Sequence, residues 1–121
     1  MDFKLTPEEV KALRSIQDKC YGVAVARGWH TKPRDFGTLV ALCHSELSEA
    51  LEGERTGSND KHLPHRRSAE VELVDTLIRI FDLAGREGYD LGGAFVEKHD
   101  YNMVRADHSI ENRMAPGGKV F

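Results

Sequence analysis

The segment from Val71 to Ala84 constrains the fold of this 121-residue chain more than any other. Nine of its fourteen residues are apolar, which is too many for a helix that packs through a single stripe. The polar positions include four at steps of three, four and three residues, which lie on one side of a helix: Glu72, Asp75, Arg79 and Asp82. The pattern therefore predicts a helix that is packed on several sides and that keeps a narrow charged stripe among apolar surroundings.

Capping signals and apolar periodicity predict three further helices. Thr6 and Glu9 form a capping box at the start of the first helix, and Asp90 is placed to cap the fourth. The predicted helices cover residues of about 6–27, 36–54, 68–85 and 91–106, whereas the tail 107–121 shows no clear element. Because no alternating strand pattern occurs, the sequence predicts an all-α protein, organised as one domain over residues 1–121.

Composition excludes several broad classes of function. The chain has 20 acidic residues against 17 Lys and Arg, a net charge of −3, so we expect no nucleic-acid partner. No apolar run approaches the roughly 18 residues of a membrane span, and the first residues do not resemble a secretion signal. The two cysteines have no metal-type spacing. These features favour a cytoplasmic protein with no membrane partner.

Two pairs of carboxylates, Glu46 with Glu49 and Glu72 with Asp75, carry the chemistry. Each pair has the i, i+3 spacing that directs both side chains to neighbouring parts of one helix face. If helices two and three pack antiparallel, the four acids meet, and a hard divalent cation would resolve their repulsion. Oxygen ligands suit Mg²⁺, or Mn²⁺, better than Zn²⁺. The same spacing also occurs on solvated helix faces, which is the alternative.

Helix four offers a complementary surface, because Lys98, Asn102 and Arg105 share one face at i, i+4 and i+7. Two cations and an amide beside bound metal could hold a phosphate chain. A solvated face with local ion pairs is the alternative. The loop before helix two contains Trp29, the only tryptophan, which could stack on a nucleobase or could pack in the core.

The order of these motifs resembles a known family. Ser45-Glu46-Leu47-Ser48-Glu49, 22 further residues and Glu72-Leu73-Val74-Asp75 are similar to the EExxE…ExxD signature of the MazG-like all-α nucleoside triphosphate pyrophosphohydrolases. The segment Lys98-x-x-x-Asn102-x-x-Arg105 resembles the basic segment of the same family. The resemblance covers roughly Trp29 to Arg105. Ser45 stands where the family has the first Glu, so the number of metal ions stays open.

The resemblance implies a Mg²⁺-dependent hydrolase and a four-helix MazG-like bundle that assembles as a homodimer or homotetramer. Its substrate would be a nucleoside or deoxynucleoside triphosphate, cleaved to the monophosphate and pyrophosphate. By the same resemblance, the metal ligands are Glu46, Glu49, Glu72 and Asp75, and the phosphate-binding residues are Lys98, Asn102 and Arg105.

Metal-assisted hydrolysis also needs a base that takes a proton from water, and Glu49 is our candidate for this role. Two other hypotheses remain. The chain could be a non-catalytic helical regulator that binds a nucleotide or a protein. It could also be a structural bundle in which Arg79 and neighbouring lysines neutralise the acids.

Overall fold

A computed structural model describes residues 2–105 and 110–118 of the chain. Five helices occur in these ranges: α1 (Pro7–Ala26), α2 (Phe36–Thr56), α3 (Ser68–Glu87), α4 (Leu91–Val104) and α5 (Ile110–Met114). The described residues contain no strand, only an isolated bridge between Asn59 and Arg67. The prediction of an all-α fold is therefore confirmed.

Local capping explains where the predicted helices begin and end. The backbone N–H of Thr6 donates to Glu9 Oε1 at 2.9 Å, and the N–H of Glu9 donates to Thr6 Oγ1 at 3.1 Å. This is the reciprocal pairing of a capping box. Asp90 accepts from the Gly93 N–H at 3.0 Å, and Gly88 ends α3 with a φ of 73°, where a side chain would be strained. The described helix ends lie within two residues of the prediction, although α3 begins at Ser68 without a side-chain cap hydrogen bond from Arg67.

The tail differs from its prediction, because α5 lies where we expected no element. Its five residues are too few to repeat an apolar pattern, so periodicity could not detect it. Glu111 in its only turn and Arg113 near its end have the charge order that suits a helix dipole. Ala106, the expected end of helix four, lies outside the described residues.

The described chain divides into two compact units. Ser15–Tyr89 form one unit, and the described parts of Met1–Arg14 and Asp90–Phe121 form the other. The boundary falls within α1, which contributes to both units. The first unit, which contains α2 and α3, holds both carboxylate pairs.

Helices α2 and α3 pack against each other as an antiparallel hairpin. At the closed end of the hairpin, a Cβ on Gly53 would lie 2.9 Å from Ser68 Cβ. Further along, Glu46 contacts Arg79. Because Gly53 has no side chain, the two backbones approach closely there, and the acids of α2 and α3 face each other further along the hairpin.

The second part of α1 and the turn after it are attached to α3. Gln17 Nε2 donates to the Tyr89 carbonyl oxygen at 2.6 Å. His30 Nε2 lies 2.7 Å from Asp82 Oδ1, and these side chains are only 17% and 8% exposed. The ring of Tyr21 packs beside His30, with their centroids 5.5 Å apart. A charged residue of the predicted stripe is thus buried and paired, as burial of a carboxylate requires.

In the other unit, the first part of α1 is linked to the start of α4. Arg14 Nε and Nη2 donate to Asp90 Oδ1 and Oδ2 at 3.0 and 2.9 Å. These bonds lower the pKa of Asp90 to about 2. Gly92 lies against the Arg14 side chain and the Val10 carbonyl oxygen. Both charged groups are exposed, so the pair orients the two helices more than it stabilises them.

The apolar core is small for so apolar a sequence. The buried apolar residues among those described are Val10, Ala24, Leu39, Ala50 and Ala84. By contrast, several large apolar side chains of α2 and α3 are exposed: Leu47, Leu51, Leu73, Leu77 and Ile80. Helix α3 is apolar on several sides, as predicted. The other described residues of the chain do not cover all of these sides. None of the described helices is long and apolar enough to cross a bilayer.

Candidate metal centre

Helices α2 and α3 bring three of the four predicted acids together. One carboxylate oxygen each of Glu46, Glu72 and Asp75 lies within 4.8 Å of the other two. All three side chains are half-buried between the helices. Glu46 belongs to the middle of α2, whereas the other two belong to the first turns of α3, so their meeting depends on the antiparallel hairpin. We refer to these three residues as the carboxylate cluster.

Arg79 supplies the cluster with a positive charge from within the protein. Its Nε donates to Glu46 Oε1 at 2.8 Å, and the side chains of Arg79 and Glu46 are 30% and 12% exposed. Arg79 lies one turn beyond Asp75, on the polar stripe noted in the sequence. Arg79 therefore neutralises Glu46, as the hypothesis of a structural bundle predicts, but it pairs with only this one of the three carboxylates.

The three carboxyl groups titrate differently because their surroundings differ. Burial and the neighbouring carboxylates Glu46 and Glu49 raise the pKa of Glu72 to about 8. Burial acts in the same direction on Glu46, but the hydrogen bond and the positive charge of Arg79 oppose it, and the pKa of Glu46 is lowered. Near neutral pH, Glu46 is therefore ionised while Glu72 holds a proton.

Asp75 also responds to a residue that the sequence analysis missed. Burial raises the pKa of Asp75, and the charges of Glu46 and Asp60 raise it further. Asp60 belongs to the aperiodic loop between α2 and α3, where helical spacing gives no indication of its position. The loop residue therefore lies within electrostatic reach of the cluster.

One oxygen of the cluster lacks a hydrogen-bond partner. Glu72 Oε2 is buried and accepts or donates no bond among the described residues. A buried oxygen without a partner costs free energy unless another group, such as a cation, approaches it. The donor set is made entirely of carboxylate oxygens, which is the chemistry that Mg²⁺ and Mn²⁺ prefer. The cluster is thus suited to a hard divalent cation.

Glu49 stands beside the cluster without belonging to it. Its side chain is exposed, and its charge contributes to the raised pKa of Glu72. The group of three oxygens within 4.8 Å does not include Glu49. Of the four acids predicted as metal ligands, Glu49 is therefore the one with the most contact with solvent.

The predicted phosphate-binding residues lie on α4 and at its C-cap, in the other compact unit. Lys98 Nζ lies 4.8 Å from the centre of the Tyr101 ring, and Arg105 Cζ lies 5.9 Å from it. The side-chain oxygen of Asn102 is buried and, among the described residues, has no hydrogen-bond partner. Lys98 and Asn102 belong to α4, whereas Arg105 is its C-cap in an extended conformation, so a common face for the three residues stays a prediction.

Trp29 lies in the turn after α1, where its backbone N–H donates to the Ala24 carbonyl oxygen at 3.0 Å. Its side chain is 40% exposed, so it is not an ordinary core residue. Two contacts attach this turn to α3: the pair of His30 with Asp82, and a bond of 2.6 Å from Arg86 Nη1 to the Arg34 carbonyl oxygen. The turn thus presents the indole ring from an anchored backbone.

Neither cysteine belongs to the carboxylate cluster. Both thiols are free and half-buried, and burial raises the pKa of each. A protonated thiol is a poor nucleophile and a poor metal ligand.

Comparison of the chain with protein-family models, curated proteins and solved structures finds no match in any of the three.

Proposed function

We propose that this chain is a Mg²⁺-dependent nucleotide pyrophosphohydrolase. It would cleave a nucleoside or deoxynucleoside triphosphate to the monophosphate and pyrophosphate, as the resemblance to the MazG-like family suggests. The observation that carries the proposal is the carboxylate cluster, with oxygens of Glu46, Glu72 and Asp75 within 4.8 Å of one another. The partnerless oxygen of Glu72 adds support, because a cation would satisfy it.

The cluster would hold the metal ion through Glu46, Glu72 and Asp75. When bound, Mg²⁺ supplies charge for the phosphate oxygens and makes a bound water more acidic. Mn²⁺ prefers similar ligands and is the second candidate. Arg79 keeps Glu46 ionised and oriented, so that the other oxygen of Glu46 can face the cation.

Glu49 is the group that we assign to proton transfer. It is exposed beside the cluster and stands outside the three closely spaced oxygens, so its carboxylate is available to accept a proton from the attacking water. Lys98, Asn102 and Arg105 would bind phosphate oxygens, in keeping with their residue types.

The exposed apolar residues of α2 and α3 support assembly with a second copy of the chain. Leu51 is 63% exposed, Leu73 is 52% exposed and Leu77 is 51% exposed, and all three belong to the hairpin that bears the cluster. Covering such surface is favourable by about 25 cal/mol per Å². A homodimer or homotetramer would remove these side chains from water, as the family resemblance suggests.

The test is a pyrophosphate-release assay on a panel of ribo- and deoxynucleoside triphosphates with Mg²⁺ or Mn²⁺. We expect release from at least one nucleotide and a loss of two orders of magnitude or more in Glu46→Gln and Asp75→Asn. The matched controls are Glu97→Gln and Asp100→Asn, since these residues are also an i, i+3 acidic pair but are exposed on α4. The control variants should retain the wild-type rate.

Absence of pyrophosphate release with every triphosphate and both metals would overturn the proposal. Equal rates in the cluster variants and in the wild type would overturn the assignment of the metal ligands. As an independent readout, Mg²⁺ should raise the melting temperature of the wild type by mass action and leave that of Glu46→Gln nearly unchanged.

A non-catalytic regulator is the second candidate, and the exposed apolar side chains of α2 and α3 favour it. The contact of Arg79 with Glu46 at 2.8 Å also leaves one acid of the cluster neutralised without a metal ion. A regulator would be stabilised by nucleotide without turnover, and the exposed apolar surface of α2 and α3 would then bind a partner protein. Thermal stabilisation by a triphosphate together with zero pyrophosphate release would identify this function.

A further inference from the structure

A pocket of about 330 Å³ lies between the α2–α3 loop and the first turns of α3. Leu63 and Arg66 line it from the loop, and Glu70, Val71 and Val74 line it from the helix. All five residues belong to the same compact unit as the carboxylate cluster. Neither the charged motifs nor the apolar periodicity of the sequence indicated this pocket.

The loop side of the pocket is built by hydrogen bonds of the backbone. The Asp60 N–H donates to the Arg66 carbonyl oxygen at 2.9 Å, and the Arg66 N–H donates to the Leu63 carbonyl oxygen at 2.8 Å. The Asp60 carboxylate accepts from the Leu63 N–H at 2.8 Å. These bonds fix Leu63 and Arg66 relative to each other within the loop, so the loop side of the pocket belongs to the fold of the loop.

The lining combines apolar walls with one charged pair. Leu63, Val71 and Val74 present hydrocarbon, while Arg66 Nη1 and Glu70 Oε1 lie 3.4 Å apart. These two charged side chains are about half exposed, and a pair of this length and exposure contributes little to stability. Both groups can therefore exchange their mutual contact for bonds to a ligand. A flat heterocycle with a polar edge matches such a lining.

The pocket is close to the carboxylate cluster along α3. Val71 and Val74 each precede a member of the cluster by one residue, Glu72 and Asp75. Successive residues are about 100° apart around a helix about 10 Å in diameter, so their side chains are separated by roughly 8 Å. A ribose with its first phosphates spans a similar distance. A nucleotide could therefore reach both places at once.

We propose that this pocket binds the nucleobase of the substrate and that it prefers guanine. The proposal rests on the function proposed above for the placement of the phosphates at the cluster. Guanine offers two adjacent donors, N1–H and the exocyclic amino group, which one carboxylate can accept together, and its O6 accepts from a guanidinium. Glu70 and Arg66 supply this pair of partners. Adenine and the pyrimidines do not present two donors beside an acceptor in this order.

The test is titration calorimetry with nucleoside monophosphates, because these ligands require neither turnover nor metal. We expect GMP to bind about tenfold more tightly than AMP, CMP or UMP, within the range of a bidentate contact to a base. Glu70→Gln should weaken GMP binding about tenfold and leave AMP binding nearly unchanged. Val74→Phe fills the pocket and should weaken the binding of GMP at least tenfold.

Val23→Phe is the matched control, since Val23 is a similarly exposed valine of the same unit, on α1. Equal affinity for GMP in the two phenylalanine variants, or equal affinity for all four monophosphates in the wild type, would overturn the pocket assignment. Pyrophosphate release without base preference also refutes the pocket and leaves the hydrolase proposal standing. Binding of GMP that depends on Glu70, without hydrolysis of any triphosphate, supports the pocket and refutes the hydrolase proposal.

Discussion

Replacement of Glu72 by Gln should stabilise the metal-free protein at pH 8 and reduce its stabilisation by Mg²⁺. The pKa of Glu72 rises from its ordinary 4.5 to about 8, because the half-buried side chain loses solvation and lies beside Glu46 and Glu49. The folded state therefore binds this proton more tightly than the unfolded state. Stability from this source is fully present below about pH 4.5 and is lost as the pH rises through about 8.

The size of this loss of stability follows from the pKa shift of Glu72. A change from 4.5 to about 8 in one pKa corresponds to about 5 kcal/mol. The pKa of Glu46 is lowered, but Glu46 is ionised in both the folded and the unfolded state over most of the range from pH 5 to pH 8.5, so it adds almost nothing to the pH dependence there. Because solvent screens a partly exposed carboxyl group, we expect the free energy of unfolding to fall by about 2–3 kcal/mol between pH 5 and pH 8.5 through Glu72. Gln cannot ionise, so the variant lacks this loss.

The assay is urea denaturation at a fixed protein concentration, from pH 5 to pH 9, in the presence of a chelator. The difference between wild type and Glu72→Gln should grow in favour of the variant as the pH rises, and it should shrink or reverse when Mg²⁺ is added. Glu97→Gln, at an exposed position of α4, serves as control and should follow the wild type. A wild type that gains stability relative to Glu72→Gln toward pH 8 would refute the reasoning.

Three further predictions concern the fold and the assembly. Gly53→Ala should destabilise the hairpin by about 1–3 kcal/mol in urea denaturation, because the new Cβ would lie 2.9 Å from Ser68 Cβ; unchanged stability would contradict this close approach. His30→Ala should lower the free energy of unfolding by about 3–5 kcal/mol near pH 7, because Asp82 would be left buried without its partner. A loss below 1 kcal/mol would show that water replaces the imidazole ring. Leu77→Glu should dissociate the proposed homodimer or homotetramer to the monomer in analytical ultracentrifugation, and an unchanged mass would exclude this surface as the interface.

The cluster shows how a small protein can concentrate charge without losing its fold. Arg79 balances one carboxylate, and a proton on Glu72 removes a second charge near neutral pH. Only part of the repulsion among the acids is then left to oppose the packing of α2 on α3. A divalent cation would replace that proton, so metal binding and protonation compete at one place.

Local signals in the sequence determined the helices of this protein. The capping box of Thr6 and Glu9, the cap at Asp90 and the apolar periodicity act over three or four residues, and the structure confirms the four helices that they predict. The five residues of α5 escaped detection because they are too short for a period. The sequence also showed that pairs such as Glu72 with Asp75 lie on one helix face, because residues at i and i+3 share a face by helix geometry alone.

Only the tertiary structure decided which charged groups meet. The i, i+3 spacing treated Glu46 and Glu49 alike, yet the hairpin places Glu46 in the cluster and leaves Glu49 exposed beside it. Residue spacing gave no indication that the charge of Asp60 raises the pKa of Asp75, because a loop has no helical period that would position its residues. The register of α2 on α3, set by the close approach at Gly53, determines these distances, and register depends on contacts between residues far apart in the sequence.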